Sequence, residues 1–476
     1  MSLVQWSWWA LGVAALVAAS AASAHALVYK RDPRSATLWL VVIWLVPMLG
    51  WAVYLLLGIN RVRRKASVVR EPVSRKRAGK APPADRAIPP TSPDGLEGLR
   101  GMAGRITRQE LVPGNRIEPL VNGAEAYPSM LAAIDAAEKT IVLSTYIFDR
   151  ASIGQMFIDA LARAKTRGVA IRVLIDDVYV RLSRSSAFKP LRRAGIPVAV
   201  FNSPLIPARL HAINLRSHRK LLVADGRVGF TGGINIHQPY WRPAAPETAE
   251  RDLHFRLEGP AVRQMAEVFA DDWEFTTGER LDDEAWLAEP VHAGTLAARG
   301  IEEGPDEHLD RLRWVFIGAL HAARRQVSIW TPYFVPDQAL IAALNAAALR
   351  GVEVDILLPE KSDHSIVDWA SQAHYWQVLE HGCRLWIQSE PFDHTKLFVV
   401  DGEWCCFGSA NWDARSLRLN FEFNVEAYGA ELAAPLQALF QAALDKASQR
   451  TLADVNSWSL PVRLRNGAAR VFTPFL

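Results

Sequence analysis

Two stretches decide the reading of this chain: Arg216-Ser217-His218-Arg219-Lys220-Leu221-Leu222-Val223-Ala224-Asp225-Gly226 and His394-Thr395-Lys396-Leu397-Phe398-Val399-Val400-Asp401-Gly402. In both, His, Lys and Asp keep the spacing H-x-K-x4-D, and His394, Lys396 and Asp401 each lie 176 positions after His218, Lys220 and Asp225. Asn235 and Asn411, in Gly-Gly-Ile-Asn and Gly-Ser-Ala-Asn, keep the same offset. A single match carries little weight, because the three residue types are common and a lone strand histidine is usually structural. Two copies in phase imply two related halves, each supplying half of one reactive centre.

The residues between the motif members indicate how they are held. Leu221–Ala224 and Leu397–Val400 are apolar runs ending at Asp-Gly, followed by Val228-Gly229-Phe230 or Cys405-Cys406-Phe407, the pattern of a strand, a tight turn and a returning strand. Alternation along a strand predicts that His218 and Lys220 share a face, as do His394 and Lys396. An imidazole beside a fixed ammonium suits attack on a phosphate: the lysine compensates anionic oxygens, and the histidine acts as nucleophile or proton carrier. Asp225 and Asp401 are expected to orient or electrostatically support the imidazoles.

At these residues the chain resembles the phospholipase D superfamily, and more narrowly the bacterial cardiolipin synthases of the phospholipase D type. Arg216–Leu222 is similar to their first motif region. Thr331-Pro332-Tyr333-Phe334-Val335-Pro336-Asp337 and the stretch from Gly408 to Glu422 are similar to their second half. The likeness runs from the N-terminal apolar segments to the closing Thr473-Pro474-Phe475-Leu476. It implies α/β architecture: two phospholipase D-like α/β/α sandwich halves related by pseudo-two-fold symmetry, with the motifs meeting between them. It also implies a metal-free reaction needing no cofactor, with one histidine forming a phosphohistidine (His218 by family precedent) and the other, His394, protonating the departing alcohol. Asn235, Ser409 and Asn411 would line the phosphate pocket. Glu422 matches an acidic position that orients the opposite catalytic histidine, with Asp252 as its counterpart. The implied reaction joins two molecules of phosphatidylglycerol, an anionic phospholipid, into cardiolipin with release of glycerol. The same motifs also serve hydrolysis to phosphatidic acid, while a non-enzymatic membrane scaffold would be expected to have lost some of the six motif residues. Ser217, Ser144-Thr145 and Asp177-Val178-Tyr179 depart from the synthase pattern and bear on acceptor choice.

The rest of the chain is consistent with work at a membrane. Half its residues are hydrophobic, 22% are charged, and the formal net charge of +4 gives no support to a nucleic-acid partner. Met1 to Val28 carries no Asp, Glu, Lys or Arg, and Ala36 to Gly58 is a second uncharged stretch holding Trp39, Trp44, Trp51 and Tyr54. Each is long enough to cross a bilayer, which predicts a two-helix transmembrane hairpin with Pro47 as a kink in its second arm. Ala24-His25-Ala26 also resembles a signal-peptide cleavage site, against which stand the missing basic n-region and the interfacial Trp6, Trp8 and Trp9. Nine Lys or Arg between residues 61 and 80, opposed only by Glu71, predict a bacterial inner-membrane protein with cytoplasmic catalytic halves. They also offer a site for anionic headgroups. Pro82, Pro83, Pro89, Pro90 and Pro93 mark a linker. The expected organisation is a membrane hairpin over 1–60, a linker over 61–113, and two halves over 114–295 and 296–476. Cys383, Cys405 and Cys406 lack disulfide or zinc spacing, and His364 and His374 lack a metal-ligand spacing.

Overall fold

The computed structural model describes residues 3–30, 33–46, 49–55, 95–202, 216–305 and 308–473. The basic segment 61–80, the prolines at 82–93, Arg31, Asp32, Pro47 and residues 474–476 lie outside them. The chain divides into two units, one within residues 1–68 and the other from residue 69 onward.

The first unit opens with the helix Leu3–Tyr29, of which Leu11–Tyr29 is long and apolar enough to cross a membrane. Pro33–Leu45 is a shorter helix, and a single turn follows at Gly50–Val53. Ala19, Ala22 and Ala26 lie buried with Ile43 and Tyr54, small side chains letting the helices approach closely. Trp44 Nε1 donates to Ser23 Oγ at 3.0 Å, and His25 Nδ1 lies 2.8 Å from the Tyr54 hydroxyl. The second apolar segment is helical on both sides of Pro47, at Pro33–Leu45 and Gly50–Val53. Its first helix ends at Leu45, so among the described residues one helix alone has the length and apolarity of a span.

The second unit is built on one long sheet. Its strands in the earlier part of the chain are β1 Val112–Val121, β2 Thr140–Thr145, β3 Ala170–Asp176, β4 Val198–Phe201, β5 Arg216–Ser217, β6 Leu221–Ala224, β7 Val228–Gly232 and β8 Leu253–Glu258. The later part adds β9 Leu296–Glu303, β10 Gln326–Trp330, β12 Glu353–Pro359, β13 Arg384–Gln388, β14 Leu397–Val400, β15 Trp404–Gly408, β17 Asn420–Tyr428 and β18 Ser448–Arg450, while β11 Phe334–Val335 and β16 Trp412–Asp413 pair with each other as a separate two-stranded sheet. From edge to edge the order is β18-β13-β12-β10-β14-β15-β17-β9-β1-β8-β7-β6-β2-β3-β4, with β5 added against β17. On one side β2, β3 and β4 run parallel and β6-β7 is an antiparallel hairpin. On the other β10, β12 and β13 run parallel and β14-β15 is the hairpin. The two sides join where β9 pairs with both β1 and β17. Every residue of β9 and β17 is buried. Such strands tolerate no slip in register, since a one-residue shift would turn each side chain to the other face.

Helices Ser152–Thr166 and Gln338–Leu349 pack on this sheet. Phe157 and Leu161 share a core with Ile141, Leu143, Ile171, Val173 and Leu222. Leu340 and Leu344 share another with Val327, Ile329, Val354, Ile356 and Phe398. Each such side chain, buried fully, contributes about 1.5–3 kcal/mol. Glu97–Thr107 is a helix inside the expected linker, burying Leu99 and Ala103 against the core of Val315, Phe316 and Ala319. Gly98, Gly101 and Gly104 on its other positions weaken the sequence signal for that helix.

Candidate active site

The strands that frame the motifs begin just after them, at Leu221 and Leu397. His218-Arg219-Lys220 and His394-Thr395-Lys396 are therefore extended lead-in segments rather than strand residues, and their backbone is held by the opposite half of the chain. The His218 N–H donates to Phe421 O and the His394 N–H to Arg251 O, both at 2.8 Å. Each histidine is thus clamped one residue before a carboxylate, Glu422 in the first case and Asp252 in the second. His218 Nδ1 lies 2.9 Å from Glu422 Oε2, and His394 Nδ1 lies 3.0 Å from Asp252 Oδ2. Lys220 Nζ donates to His218 O at 2.7 Å, and Lys396 Nζ donates to His394 O. These six side chains are drawn from both halves of the chain, and all but His218 are more than nine-tenths buried.

Asp225 and Asp401 are not part of this cluster. The Asp225 carboxylate accepts the backbone N–H groups of Glu138, Lys139 and Thr140 at 2.9, 2.7 and 2.8 Å. Asp401 accepts those of Arg324, Arg325 and Gln326 at 2.9, 2.8 and 2.8 Å. Both occupy the turn after the motif strand at φ 54°, a conformation Asp tolerates because its short polar side chain bonds locally. The expectation that they support the imidazoles is corrected: four residues of strand carry them to the far end of β6 and β14, where they tie the hairpin to the strand beside it. Asp225→Ala is expected to destabilise the protein by about 2–4 kcal/mol through lost charged hydrogen bonds and strain at positive φ. Asp225→Asn should cost much less. Denaturant melts of the two variants check this.

Of the three residues expected at the phosphate pocket, Ser409 reaches the histidines' surroundings directly. Its carbonyl oxygen lies 3.1 Å from His218 Nδ1, and its hydroxyl donates to Glu422 Oε2 at 2.6 Å. Asn235 Oδ1 accepts from the Ile147 N–H, and Asn411 Nδ2 donates to Ser416 Oγ. The Asn411 Oδ1 is buried with no protein partner. Gly233 stands at the position that Ser409 fills in the other half; a Cβ there would lie 2.3 Å from Asp252 Oδ2. Glu422 is therefore held by a serine hydroxyl, while Asp252 packs against bare backbone.

One residue was not anticipated. The Tyr240 hydroxyl lies 3.1 Å from His394 Nδ1, so that nitrogen faces a phenol as well as Asp252. Tyr240 has Ser416 as its counterpart at the 176-residue offset, so the repeat hides it; the remaining signal is an aromatic five residues after Asn235. Tyr146 sits edge-on to His218 with ring centroids 5.4 Å apart, and Tyr333 edge-on to His394 at 6.2 Å. The Arg219 guanidinium, fully buried, donates to Asp272 at 2.6 Å and to Glu422 O at 3.2 Å, bracing the strand that carries Glu422. His374 bonds the Ala370 carbonyl and His364 is exposed beside Asp363. Among the described residues no group of three or more His, Cys, Asp or Glu could hold a metal ion.

Burial sets the protonation of the cluster. It lowers His218, with Lys220 and Lys396 adding to the effect against Glu422. It lowers His394 further, helped by both lysines. Desolvation brings Lys220 down to about 7 and Lys396 down to about 8. It also pushes Asp252 well above the carboxylate range, whereas at Glu422 the charge and hydrogen bonds of His218, Lys220 and Ser409 outweigh burial and hold the carboxyl low. Burial thus disfavours the charged forms of both imidazoles and both lysines, and an entering phosphate anion would favour them again.

Two histidine-lysine pairs, each imidazole backed by a carboxylate from the other half, on a long α/β sheet define a phospholipase D-like protein. The family described as cardiolipin synthase, PLD-like domain, matches residues 130–273 and 316–444, and the phospholipase D-nuclease N-terminal family matches residues 17–58. A cardiolipin synthase of Geobacillus kaustophilus is 33% identical over 94% of this chain and 90% of its own. The major cardiolipin synthase of Bacillus subtilis is 31% identical over 94% and 95%. Phosphatidylserine synthase of Haemophilus influenzae shares the fold, with a TM-score of 0.60 over 79% of this chain and all of its own at 15% identity. The chain belongs to the cardiolipin synthase family.

Proposed function

We propose that the protein transfers a phosphatidyl group from one phosphatidylglycerol to a second, giving cardiolipin and glycerol through a phosphohistidine. The observation that carries the reading is the pairing of each histidine with a lysine of its own motif and a carboxylate of the other half in one buried cluster. His218 Nδ1 faces Glu422 and the Ser409 carbonyl, and a carbonyl oxygen only accepts, so Nδ1 carries the proton and Nε2 keeps its lone pair. His218 is then the nucleophile. The His394 ring donates to the Gly233 carbonyl, with the Tyr240 hydroxyl and Asp252 at its Nδ1, and its role as the proton carrier follows family precedent.

In the first step His218 Nε2 bonds to phosphorus, the P–O bond to the glycerol headgroup breaks, and His394 protonates the departing glycerol. Lys220 and Lys396 neutralise the non-bridging oxygens, with Asn235, Ser409 and Asn411 lining the phosphate pocket. In the second step His394 takes the proton from a hydroxyl of another phosphatidylglycerol. The resulting oxygen nucleophile displaces His218, and cardiolipin leaves. The halves 114–295 and 296–476 would be related by a pseudo-two-fold axis between the motifs. The N-terminal helix and the second apolar segment would form a two-span anchor, with the catalytic unit on the cytoplasmic side of a bacterial inner membrane, as the Lys/Arg bias after the segments favours.

The test uses detergent-purified protein, labelled phosphatidylglycerol as the sole lipid, and a chelator. Cardiolipin with released glycerol is the expected result, whereas phosphatidic acid alone would make water the acceptor. The pH dependence follows from the shifts above. Below pH about 7 both lysines are charged; as pH rises through about 7 and then about 8, Lys220 and Lys396 in the free enzyme lose their protons. The kcat/KM profile should therefore fall on its alkaline side across that window, with an acid limb displaced below the ordinary histidine value of 6.5. Lys396→Arg, which stays charged, should remove the step near 8 and leave the fall near 7 that belongs to Lys220.

A further inference from the structure

The helix Leu460–Val471 presents an unusual outer face. Its inner face is well seated: Asn466 and Ala469 are buried, Asn466 Nδ2 donates to Gln372 Oε1 at 3.1 Å, and Ala469 packs with Ala370 and Val335. The outer face carries Leu460, Leu464 and Val471, which are 66%, 64% and 74% exposed, and Phe472 just past the helix is 52% exposed. At about 100° per residue the first three fall within about 40° of one another, a continuous stripe along the helix. On the same rule Arg463 and Arg470 border one edge of the stripe and Arg465 the other, its guanidinium 4.9 Å from the Trp369 ring centroid. Single exposed apolar residues need no explanation, but an apolar helical stripe edged on both sides by arginine is the pattern of a helix lying in a bilayer interface. There the arginine stems follow the lipid chains and the guanidinium groups stay at the phosphates.

Two further observations point the same way. Arg463 and Arg470 also line an open cleft of about 470 Å³ with Trp376, Trp458, Asn466 and a single acid, Glu380. Its charge balance is positive, and its tryptophans are the residues favoured at membrane–water boundaries. The helix Ser365–Gln372, on which the C-terminal helix rests, starts directly after Asp363 and His364 at the rim of the active site. The Tyr333 hydroxyl donates to Asp363, and its ring stands edge-on to His394. The apolar stripe is thus joined to the catalytic histidine through one short, packed connection.

We propose that the helix Leu460–Val471 is a membrane-seating element: the stripe enters the acyl-chain boundary of an anionic bilayer, and Arg463, Arg465 and Arg470 engage lipid phosphates. This rests on the reading that the substrate is a bilayer lipid and deepens it. The catalytic unit has its own contact with the membrane, distinct from the N-terminal helix, which sets its rim against the surface so that a headgroup reaches His394 while the acyl chains stay in lipid.

The test places a polarity-sensitive dye on Leu464→Cys in the full chain. Cys383, Cys405 and Cys406 are all buried, so labelling is selective. The protein is reconstituted into vesicles of phosphatidylcholine alone or of phosphatidylcholine with phosphatidylglycerol, with nitroxide groups on the acyl chains. The expected result is a blue-shifted emission quenched about severalfold in anionic vesicles. Quenching should be weaker in neutral vesicles and weaker again when Arg463→Gln and Arg470→Gln are added. A water-like, unquenched dye in both vesicles overturns the proposal. So does shielding that grows with protein density and not with lipid charge, which would mean that a second copy covers the stripe. Leu464→Asp adds an activity readout: the ratio of turnover on vesicles to turnover on monomeric short-chain phosphatidylglycerol should fall about tenfold. An unchanged ratio overturns the proposal. If the unsubstituted protein makes no cardiolipin from either substrate, the functional reading fails, and the quenching result still decides the membrane contact.

Discussion

Alanine in place of His218 is expected to lower cardiolipin formation by at least about 10⁴-fold, and His394→Ala by a comparable factor, with the protein still folded and membrane-inserted. Folding survives because neither change strips a buried charge of all its partners. Without His218, Glu422 keeps the Ser409 hydroxyl and the Asn420 amide, which donates at 3.1 Å. Without His394, Asp252 keeps the Leu253 N–H at 2.7 Å. The two variants should part company on a substrate whose leaving group needs no proton, such as a phosphatidyl nitrophenol. His394→Ala should then release nitrophenol in a burst and accumulate an acid-labile lipid adduct on the protein, because the nucleophile is intact and the base for the second step is gone. His218→Ala should show neither burst nor adduct. An adduct on His218→Ala would reverse the assigned roles, and retained turnover in either variant would sink the two-histidine mechanism.

The core of this site was legible because the repeat is in phase. An offset of 176 residues picks out His218 with His394 and Lys220 with Lys396 without any knowledge of the fold. Apolar runs such as Val169-Ala170-Ile171-Arg172-Val173-Leu174-Ile175, alternating with Ala-rich segments such as Ile153 to Arg167, are the pattern of an α/β sheet. The cross-pairing of Glu422 with His218 and Asp252 with His394 was reached through family resemblance, and the backbone bonds from His218 to Phe421 and from His394 to Arg251 give its physical cause. What stayed hidden is what the repeat does not share or what a linear pattern does not encode. Tyr240 and Gly233 each have a serine, Ser416 and Ser409, at the counterpart position. Asp225 and Asp401 share the motif spacing but serve the hairpin, since a carboxylate at a turn bonds whichever N–H groups the neighbouring strand presents.

A second large effect belongs to the seam of the sheet. Arg299 on β9 and Glu426 on β17 are both fully buried, with Arg299 Nε donating to Glu426 Oε1 at 2.6 Å. The guanidinium also donates to the backbone carbonyls of Gln109 and Arg100 at 3.2 and 3.1 Å, and Glu426 Oε2 accepts from Trp404 Nε1 and the Tyr428 hydroxyl at 3.1 and 3.2 Å. Glu426→Ala would leave a desolvated cation and two buried donors without their acceptor. The expected loss is about 3–5 kcal/mol, read from denaturant unfolding of the detergent-solubilised full chain. The double variant Arg299→Met with Glu426→Leu should cost less than the two single changes added together, because removing both charges removes the uncompensated one. Additive losses would mean that the pair is not coupled. This pair bears on function as well as stability. Glu426 and Glu422 lie on the same strand, an even number of residues apart, so their side chains share a face, and β17 reaches His218 through Phe421 and Glu422. A sheet loosened at Arg299 would let that strand shift against the first half, and His218 with it. Turnover should therefore fall in Glu426→Ala at temperatures where the protein remains folded, while membrane insertion is unchanged.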